Sequence, residues 1–208
     1  VRAIAKYLHQ SQSTTMIKAL ALLSVFWVNT ALASNHKFSD FFNSLESLKA
    51  NFTQTTYSDT HSLLSSASGT LTFGRPQQLH WHTTQPNEQI LLLNNDELWL
   101  IDAELEQASL QKIQDLSKTP LYWLINKPSS LQHLPIFSHQ ENQVDWYTAN
   151  TSTQALKFGF KDNLLHAISL KNELEQTVLI NFDQLVVNPE INPEIFVLEL
   201  NPNFDIIR

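Results

Sequence analysis

Two histidines are the side chains in this sequence best suited by spacing to bind a metal. His80 and His82 are two positions apart, so both imidazoles lie on one face of an extended strand. A zinc site needs three or four ligands, and no third ligand is evident near this pair. We therefore interpret both residues as polar histidines on the solvent face of a strand.

The composition offers little for covalent chemistry. The 208-residue sequence has no cysteine, which excludes a catalytic thiol, a disulfide and a thiolate metal site. Only three glycines are present, which excludes a glycine-rich phosphate loop and a GxSxG nucleophile elbow. The acidic residues are scattered over turns, and no serine lies in a nucleophile motif. The sequence therefore predicts a protein that is not an enzyme and that has no cofactor.

The histidine pair belongs to a series of short predicted strands. Around it, Leu71, Phe73, Leu79 and Trp81 recur with the two-residue period of a strand and point to one face, away from the histidines. Alternation and turn residues predict further strands, with a polar loop at 58–66. The predicted strands are 51–57, 67–73, 79–84, 89–93, 98–101, 107–113, 136–137, 144–148, 155–160, 164–170, 176–185 and 196–200. Consecutive short strands of this kind favour an antiparallel sheet or barrel.

Two helices are predicted to accompany the strands. Phe38, Phe41, Phe42, Leu45 and Leu48 recur at helical spacing, which predicts a helix of about three turns. For this first helix we expect Ser39 as the cap and Asp40 in the first turn.

The second predicted helix is short and very apolar. Thr119 is a suitable cap, Pro120 suits the first helical position, and Lys127 and Pro128 end the segment. Its apolar residues are Leu121, Trp123, Leu124 and Ile125.

Residues 1–33 have the pattern of a cleavable signal peptide. A positive residue, Lys18, precedes an apolar run over 19–28, and Ala31 and Ala33 form an A-x-A cleavage site. Met16, the sole methionine, is a candidate start. An uncleaved anchor is disfavoured because the apolar run is short. We expect a single domain over residues 34–208 in the bacterial periplasm.

Removal of residues 1–33 makes the chain more acidic. It takes away three of the 13 basic residues and none of the 20 acidic ones, so the net charge changes from −7 to −10. Nucleic acid is a poor partner for such a charge.

The large apolar residues allow two interpretations. They could form an ordinary core, or they could line a cavity for an apolar ligand on one face of a curved sheet. The residues are Phe52, Phe73, Trp81, Trp99, Trp123 and Trp146. Composition alone does not separate the two.

Arg75 also allows two interpretations. It lies in a Gly-Arg-Pro turn, where an arginine is normally solvated. Alternatively, its five fixed donors could bond the free carbonyls at the end of the short apolar helix and act as a latch.

Several segments together resemble the LolA family of outer-membrane lipoprotein carriers. They are Leu48-Lys49-Ala50-Asn51-Phe52-Thr53-Gln54, Gly69-Thr70-Leu71, Arg75-Pro76, Leu79-His80-Trp81, Leu98-Trp99, Asp102-Ala103-Glu104-Leu105-Glu106-Gln107 and Thr119-Pro120-Leu121. The resemblance covers nearly all of the chain after residue 33. It implies a mainly β (α+β) fold, an unclosed antiparallel β-barrel with a short helical lid over an apolar cavity.

The resemblance also implies a function. Carriers of this family are monomeric periplasmic shuttles that bind the acyl chains of outer-membrane lipoproteins. They accept these from an inner-membrane ABC transporter and pass them to an outer-membrane acceptor lipoprotein. That acceptor itself needs a lipid-modified cysteine, which this chain lacks. A periplasmic binding protein for a small apolar ligand is the alternative.

Individual residues acquire expected roles from the resemblance. Arg75 matches the family arginine that holds the lid closed, with the helix at 121–126 as its expected partner. Leu79 stands where many members carry phenylalanine. We expect the acyl-chain cavity to be lined by Phe52, Leu71, Phe73, Leu79, Trp81, Leu91 and Trp99. We expect the lid helix to contribute Leu121, Trp123, Leu124 and Ile125.

Overall fold

The described part of the chain folds into an open sheet of twelve strands with two short α-helices. The computed structural model describes residues 36–111, 120–130, 133–150, 155–172 and 174–207. The predicted signal peptide and the predicted cap Thr119 lie outside these residues. Within the described ranges, no helix is long and apolar enough to cross a membrane.

The strands follow one another in two antiparallel series, to which the last strand adds one parallel pairing. Their bounds are β1 Ser47–Tyr57, β2 Leu63–Gly74, β3 Gln78–Gln85, β4 Gln89–Asn94, β5 Glu97–Asp102, β6 Gln107–Gln111, β7 Ile136–Glu141, β8 Val144–Asn150, β9 Ala155–Lys161, β10 Leu164–Lys171, β11 Thr177–Val187 and β12 Asp205–Ile207. The spatial order is β12-β6-β5-β4-β3-β2-β1-β11-β10-β9-β8-β7. Strand β1 therefore joins the two series, because it pairs with both β2 and β11.

The sheet is curled around one of its faces. Leu98 of β5 and Leu165 of β10 line the same cavity, although six strand spacings separate their strands. In a flat sheet six spacings would hold them roughly 29 Å apart. We call the enclosed face, which carries Phe52 and Leu71, the inner face, and the opposite one the outer face. This curled, unclosed sheet is the predicted fold class.

The core has one part on each face. The larger inner cluster contains Phe38, Phe42, Phe52, Phe158 and Phe160, all almost completely buried. The outer cluster consists of Leu92, Trp99, Ile101 and Ala108, with Leu198, Leu200 and Phe204 from the C-terminal segment packed against it. The C-terminal segment therefore covers part of the outer face.

Helix α1 spans Lys37–Ser44 and is shorter than predicted. Leu45 already has an extended backbone, and Leu48 lies in β1, paired with Phe73 of β2. Pairing with β2 and β11 extends β1 back to Ser47, and this ends the helix early. Asp40 lies in the first turn as predicted, but the cap position is His36, which makes no side-chain capping bond; the prediction of Ser39 was wrong.

Other boundaries also differ from the sequence prediction, and β7, for example, runs to Glu141 where 136–137 was predicted. Strand β2 begins at Leu63, inside the predicted polar loop, because Ser65 and Ser66 pair with the end of β1. The predicted strand at 196–200 is absent from the described residues of that segment. A 3₁₀ turn over Pro193–Phe196 ends at the first residue of that segment, and Asn192 accepts a bond from the backbone NH of Glu194 in this turn.

Gly69 permits an unusually close approach between β2 and β3. A Cβ atom built on Gly69 would lie 1.9 Å from the backbone oxygen of His82. At Gly74, on the same strand, the nearest atom to such a Cβ is the side-chain Oε1 of Gln78 at 3.4 Å. The two glycines therefore differ in whether a methyl group can be accommodated.

We expect Gly69→Ala to destabilise the protein, because a backbone atom must move to admit the methyl group. The cost should be about 2 kcal/mol or more in the free energy of unfolding, measured by urea denaturation. Gly74→Ala is the matched control and should change stability by less than about 0.5 kcal/mol. Equal effects of the two substitutions would contradict this account.

Candidate functional site: an apolar cavity beside two short helices

An apolar cavity of about 330 Å³ lies on the inner face of the sheet. Strands β1 to β5, β10 and β11 form its walls, and helix α2, Pro120–Ile125, borders it. All but one of its lining residues are apolar. They are Leu48, Gln54, Leu71, Leu79, Trp81, Leu91, Leu98, Pro120, Leu124, Leu165, Ile168, Leu170, Val178, Ile180 and Phe182.

The structure brings four of the seven predicted cavity residues to this wall. They are Leu71, Leu79, Trp81 and Leu91. Phe52 lies behind the wall, with its ring centroid 4.2 Å from that of Trp81. Phe73 is fully buried in the inner cluster but does not line the cavity.

Trp99 is the predicted residue that lies elsewhere. Its side chain packs on the outer face with Leu92 and Ile101, and its Nε1 donates to Glu97 at 3.1 Å. The neighbouring Leu98 reaches the cavity instead. Strand β5 carries apolar residues on both faces, so alternation alone did not identify the inward one.

Sequence reasoning missed the second wall of the cavity. Strands β10 and β11 contribute six residues, Leu165, Ile168, Leu170, Val178, Ile180 and Phe182. Both strands were predicted. However, they lie on the other side of β1 from β2 to β5, which carry most of the predicted cavity residues. The pairing of Phe52 with Phe182 across β1 and β11 brings the two walls together.

Helix α1 fills the inner face next to the cavity. Its Phe38 and Phe42 pack edge-on against Phe158, with ring centroids 5.2 and 5.6 Å away, and Phe41 packs against Phe160 at 5.5 Å. Edge-to-face pairs of this kind add about 0.5–1.5 kcal/mol each to simple burial.

Helix α2 connects this aromatic cluster to the cavity. Trp123 packs edge-on against Phe38 at 5.4 Å, while Leu124 lines the cavity. Leu121 and Ile125 belong to the same helix, and their side chains lie outside the described part of the structure.

Arg75 bonds a helix carbonyl, but not one in the expected helix. Its Nη2 donates to the backbone oxygen of Phe42 in α1 at 2.9 Å. The partner expected at 121–126 is therefore corrected to the C-terminal turn of α1, where carbonyls also lack intrahelical partners. Burial lowers the pKa of the Arg75 guanidinium, and the nearby Glu46 carboxylate opposes this shift.

Several polar contacts hold the two helices in place. Lys37 at the start of α1 pairs with the buried Asp145 at 2.5 Å. Asn43 accepts a bond from the backbone NH of Ser129 at 3.0 Å, after α2. Lys127 forms an ion pair with Glu46, just before β1.

This packing of the helices also leaves buried donors unpaired. Arg75 Nε and Nη1 and Trp123 Nε1 are buried and have no acceptor among the described residues. A buried donor without a partner costs about 1–3 kcal/mol. The packing of both helices therefore carries an energetic cost, the loss of hydrogen bonds by these buried donors.

The histidine pair lies on the outer face, away from the cavity. The ring centroids of His80 and His82 are 5.7 Å apart, and His82 Nε2 is 2.8 Å from Glu88 Oε1. Among the described residues, no group of three or more His, Asp or Glu side chains is placed to hold a metal ion. Burial lowers the pKa of His80, and the neighbouring His82 lowers it further.

These features define a class of protein, one in which an open antiparallel sheet curls around an apolar cavity and two short helices pack into the same face. The particular family follows from the sequence. The model of the family described as "Outer membrane lipoprotein carrier protein LolA" matches residues 43–199, and the chain belongs to this family.

Individual relatives match over almost their whole length. The chain is 30% identical over 208 residues to an outer-membrane lipoprotein carrier protein of Hahella chejuensis, covering 92% of this chain and 99% of the relative. It is 27% identical over 202 residues to one of Pseudomonas paraeruginosa, covering 94% and 97%. A LolA superfamily structure from Nitrosomonas europaea matches with a TM-score of 0.46 at 11% identity, covering 81% of this chain and 98% of the other.

We expect Arg75→Leu to loosen helix α1, because it removes the charge-assisted bond to Phe42. Amide hydrogen exchange over residues 36–46 should accelerate by about ten-fold or more. Lys49→Leu is the control, since it removes an exposed positive charge from β1 without touching α1. Unchanged exchange in Arg75→Leu would show that packing alone holds the helix.

We expect His80 to make the folded state less stable in mild acid. Its folded pKa lies below the ordinary value of 6.5, so the unfolded chain takes up the proton first as the pH falls. Stability should therefore fall from pH 6.5 down to the folded pKa, and His80→Gln should flatten this part of the profile. His82→Gln leaves the half-buried His80 imidazole and removes only the smaller of the two causes, so most of the fall should remain. Urea denaturation at several pH values measures both; a wild-type slope in His80→Gln would contradict the assignment.

Proposed function

We propose that this protein carries acylated lipoproteins across the periplasm and binds their acyl chains in the apolar cavity. The observation that carries the proposal is an almost wholly apolar cavity under a helix in a member of the LolA family. Each CH₂ group transferred from water into such a site contributes about 0.8 kcal/mol. A few acyl chains would therefore bind tightly without covalent chemistry.

The cavity must enlarge to accept this cargo. Its volume of about 330 Å³ lies at the lower end of the range of about 300–1,000 Å³ that small-molecule pockets occupy. The adjacent space is filled by Phe38 and Phe42 of α1 and by Trp123 of α2. We infer that the aromatic side chains of the two helices move away when acyl chains enter.

This exchange explains how a tight binder can also release its cargo. Opening exposes the aromatic side chains, which costs part of the energy gained from the acyl chains. Opening also gives water access to the unpaired donors of Arg75 and Trp123, which recovers part of that cost. The net affinity is then moderate, and transfer to a more apolar acceptor can proceed downhill without a fuel.

The proposal includes partners and location. The carrier would accept lipoproteins from an inner-membrane ABC transporter and deliver them to an outer-membrane acceptor lipoprotein, as a periplasmic monomer. No catalytic step on the carrier is involved. Arg75 would act as the latch between β2 and α1.

A small apolar ligand is the competing candidate, and the volume of the closed cavity favours it. Such a ligand would fit without movement of either helix. The two candidates therefore differ in one observable: only a lipoprotein carrier would extract an acylated protein from a membrane.

The decisive experiment uses purified protein that begins at residue 34, incubated with spheroplasts that contain an active lipoprotein transporter. We expect a triacylated lipoprotein to appear in the soluble fraction as a one-to-one complex with the protein. A folded protein that releases none, yet copurifies with a small apolar molecule, would favour the competing candidate.

We expect Val178→Trp to reduce lipoprotein release by at least ten-fold, because the indole would occupy cavity space on β11. Leu179→Trp is the matched control, since this residue is next along the strand and points to the other face. Release should be unchanged in the control, with both variants folded by circular dichroism. Equal loss in both variants would argue against the cavity as the binding site.

A further inference from the structure

Gln54 is the one polar side chain among the described residues that line the cavity. It lies on β1, where Leu48, Ala50 and Phe52 share its face by strand alternation. Phe52 and Ala50 are buried in the apolar inner cluster. A carboxamide therefore follows an apolar series on the same face.

The surroundings of Gln54 provide it with no partner. Its cross-strand neighbours are Ile180 of β11 and Ala67 of β2, and neither side chain can hydrogen-bond. No side-chain hydrogen bond of Gln54 occurs with any described residue, whereas the amides of Asn51, Gln89 and Gln140 all have partners. The side chain is partly exposed, so solvent reaches it from the cavity.

An amide in this position is costly unless a ligand uses it. A glutamine side chain offers one acceptor and two donors. When an apolar ligand fills the cavity and displaces water, these groups lose their solvent bonds, at a cost comparable to a lost hydrogen bond. A leucine or methionine would avoid this cost, so a purely apolar ligand does not account for the residue.

We propose that Gln54 donates a hydrogen bond to the carbonyl oxygen that joins an acyl chain to its carrier molecule. The inference rests on the proposed function and adds a polar contact to it. The hydrocarbon tail packs against the leucine, isoleucine and valine residues of the cavity wall, and the carbonyl group lies next to Gln54. Ester and amide carbonyls both accept such a bond, and an alkane does not.

If Gln54 makes this bond, the protein should bind ligands with a carbonyl group more tightly than an alkane of similar length. Binding of methyl decanoate, N-methyldecanamide and undecane to the protein that begins at residue 34 would be followed by tryptophan fluorescence, since Trp81 is in the cavity wall. Gln54→Leu and Gln54→Met should each weaken binding of the carbonyl ligand by about five- to ten-fold. Undecane should bind both variants as well as wild type or better. The ester and amide probes show separately which linkage is used.

The variants should also melt at the same temperature as wild type or higher, because an apolar side chain replaces a partly exposed amide in an otherwise apolar wall. Thr56→Val is the control; it removes a polar group from the next inward position of β1, outside the cavity lining, and should keep the carbonyl preference. A change of the same factor for all three ligands, or no change for any, would overturn the role of Gln54.

The outcomes separate this inference from the proposed function. If wild type releases lipoprotein and Gln54→Leu keeps the carbonyl preference, the role of Gln54 fails and the carrier function stands. Suppose instead that wild type releases no lipoprotein, but prefers carbonyl ligands while Gln54→Leu does not. The carrier function then fails and the acyl-carbonyl contact stands.

Discussion

The structure depends on the need to cover one apolar face of a large open sheet. Curling brings strands from both series around the same interior, yet the strands alone do not fill it. Aromatic side chains of α1 fill the part over β9, and the part between β3 and β11 stays empty. Because the same face is filled in one region and hollow in the next, small movements of the helices change the size of the hollow.

Helix α1 has little stability of its own. At eight residues it is far shorter than a helix that persists alone in water, and no side chain caps its start. Its position is fixed instead by apolar packing and by polar links at both ends, from Lys37 to Asp145 and from Arg75 to Phe42. Contacts with distant parts of the chain thus determine both whether α1 forms and where it lies.

Sequence reasoning predicted the parts of the fold that depend on local patterns. Strand β3 alternates cleanly, so its inward residues Leu79 and Trp81 could be identified. Sequence reasoning failed at Trp99, because β5 carries apolar residues on both faces and its outer face is buried by the distant C-terminal segment. It also chose the wrong helix for Arg75, because both helices end in free carbonyls and the choice depends on packing. Family resemblance supplied what periodicity could not, namely that one face encloses a cavity.

The central position of β1 has a consequence for how the protein folds. One neighbour of β1 is β2, which follows it directly in the chain, but the other is β11. Phe52 can therefore pair with Phe182 only after most of the chain is present. Closing such a distant contact is slow, and a chain with only its first half available would expose an unpaired edge of β1. The core around β1 therefore forms late, after nearly the whole polypeptide has become available for folding. Until then its apolar strands need protection from aggregation.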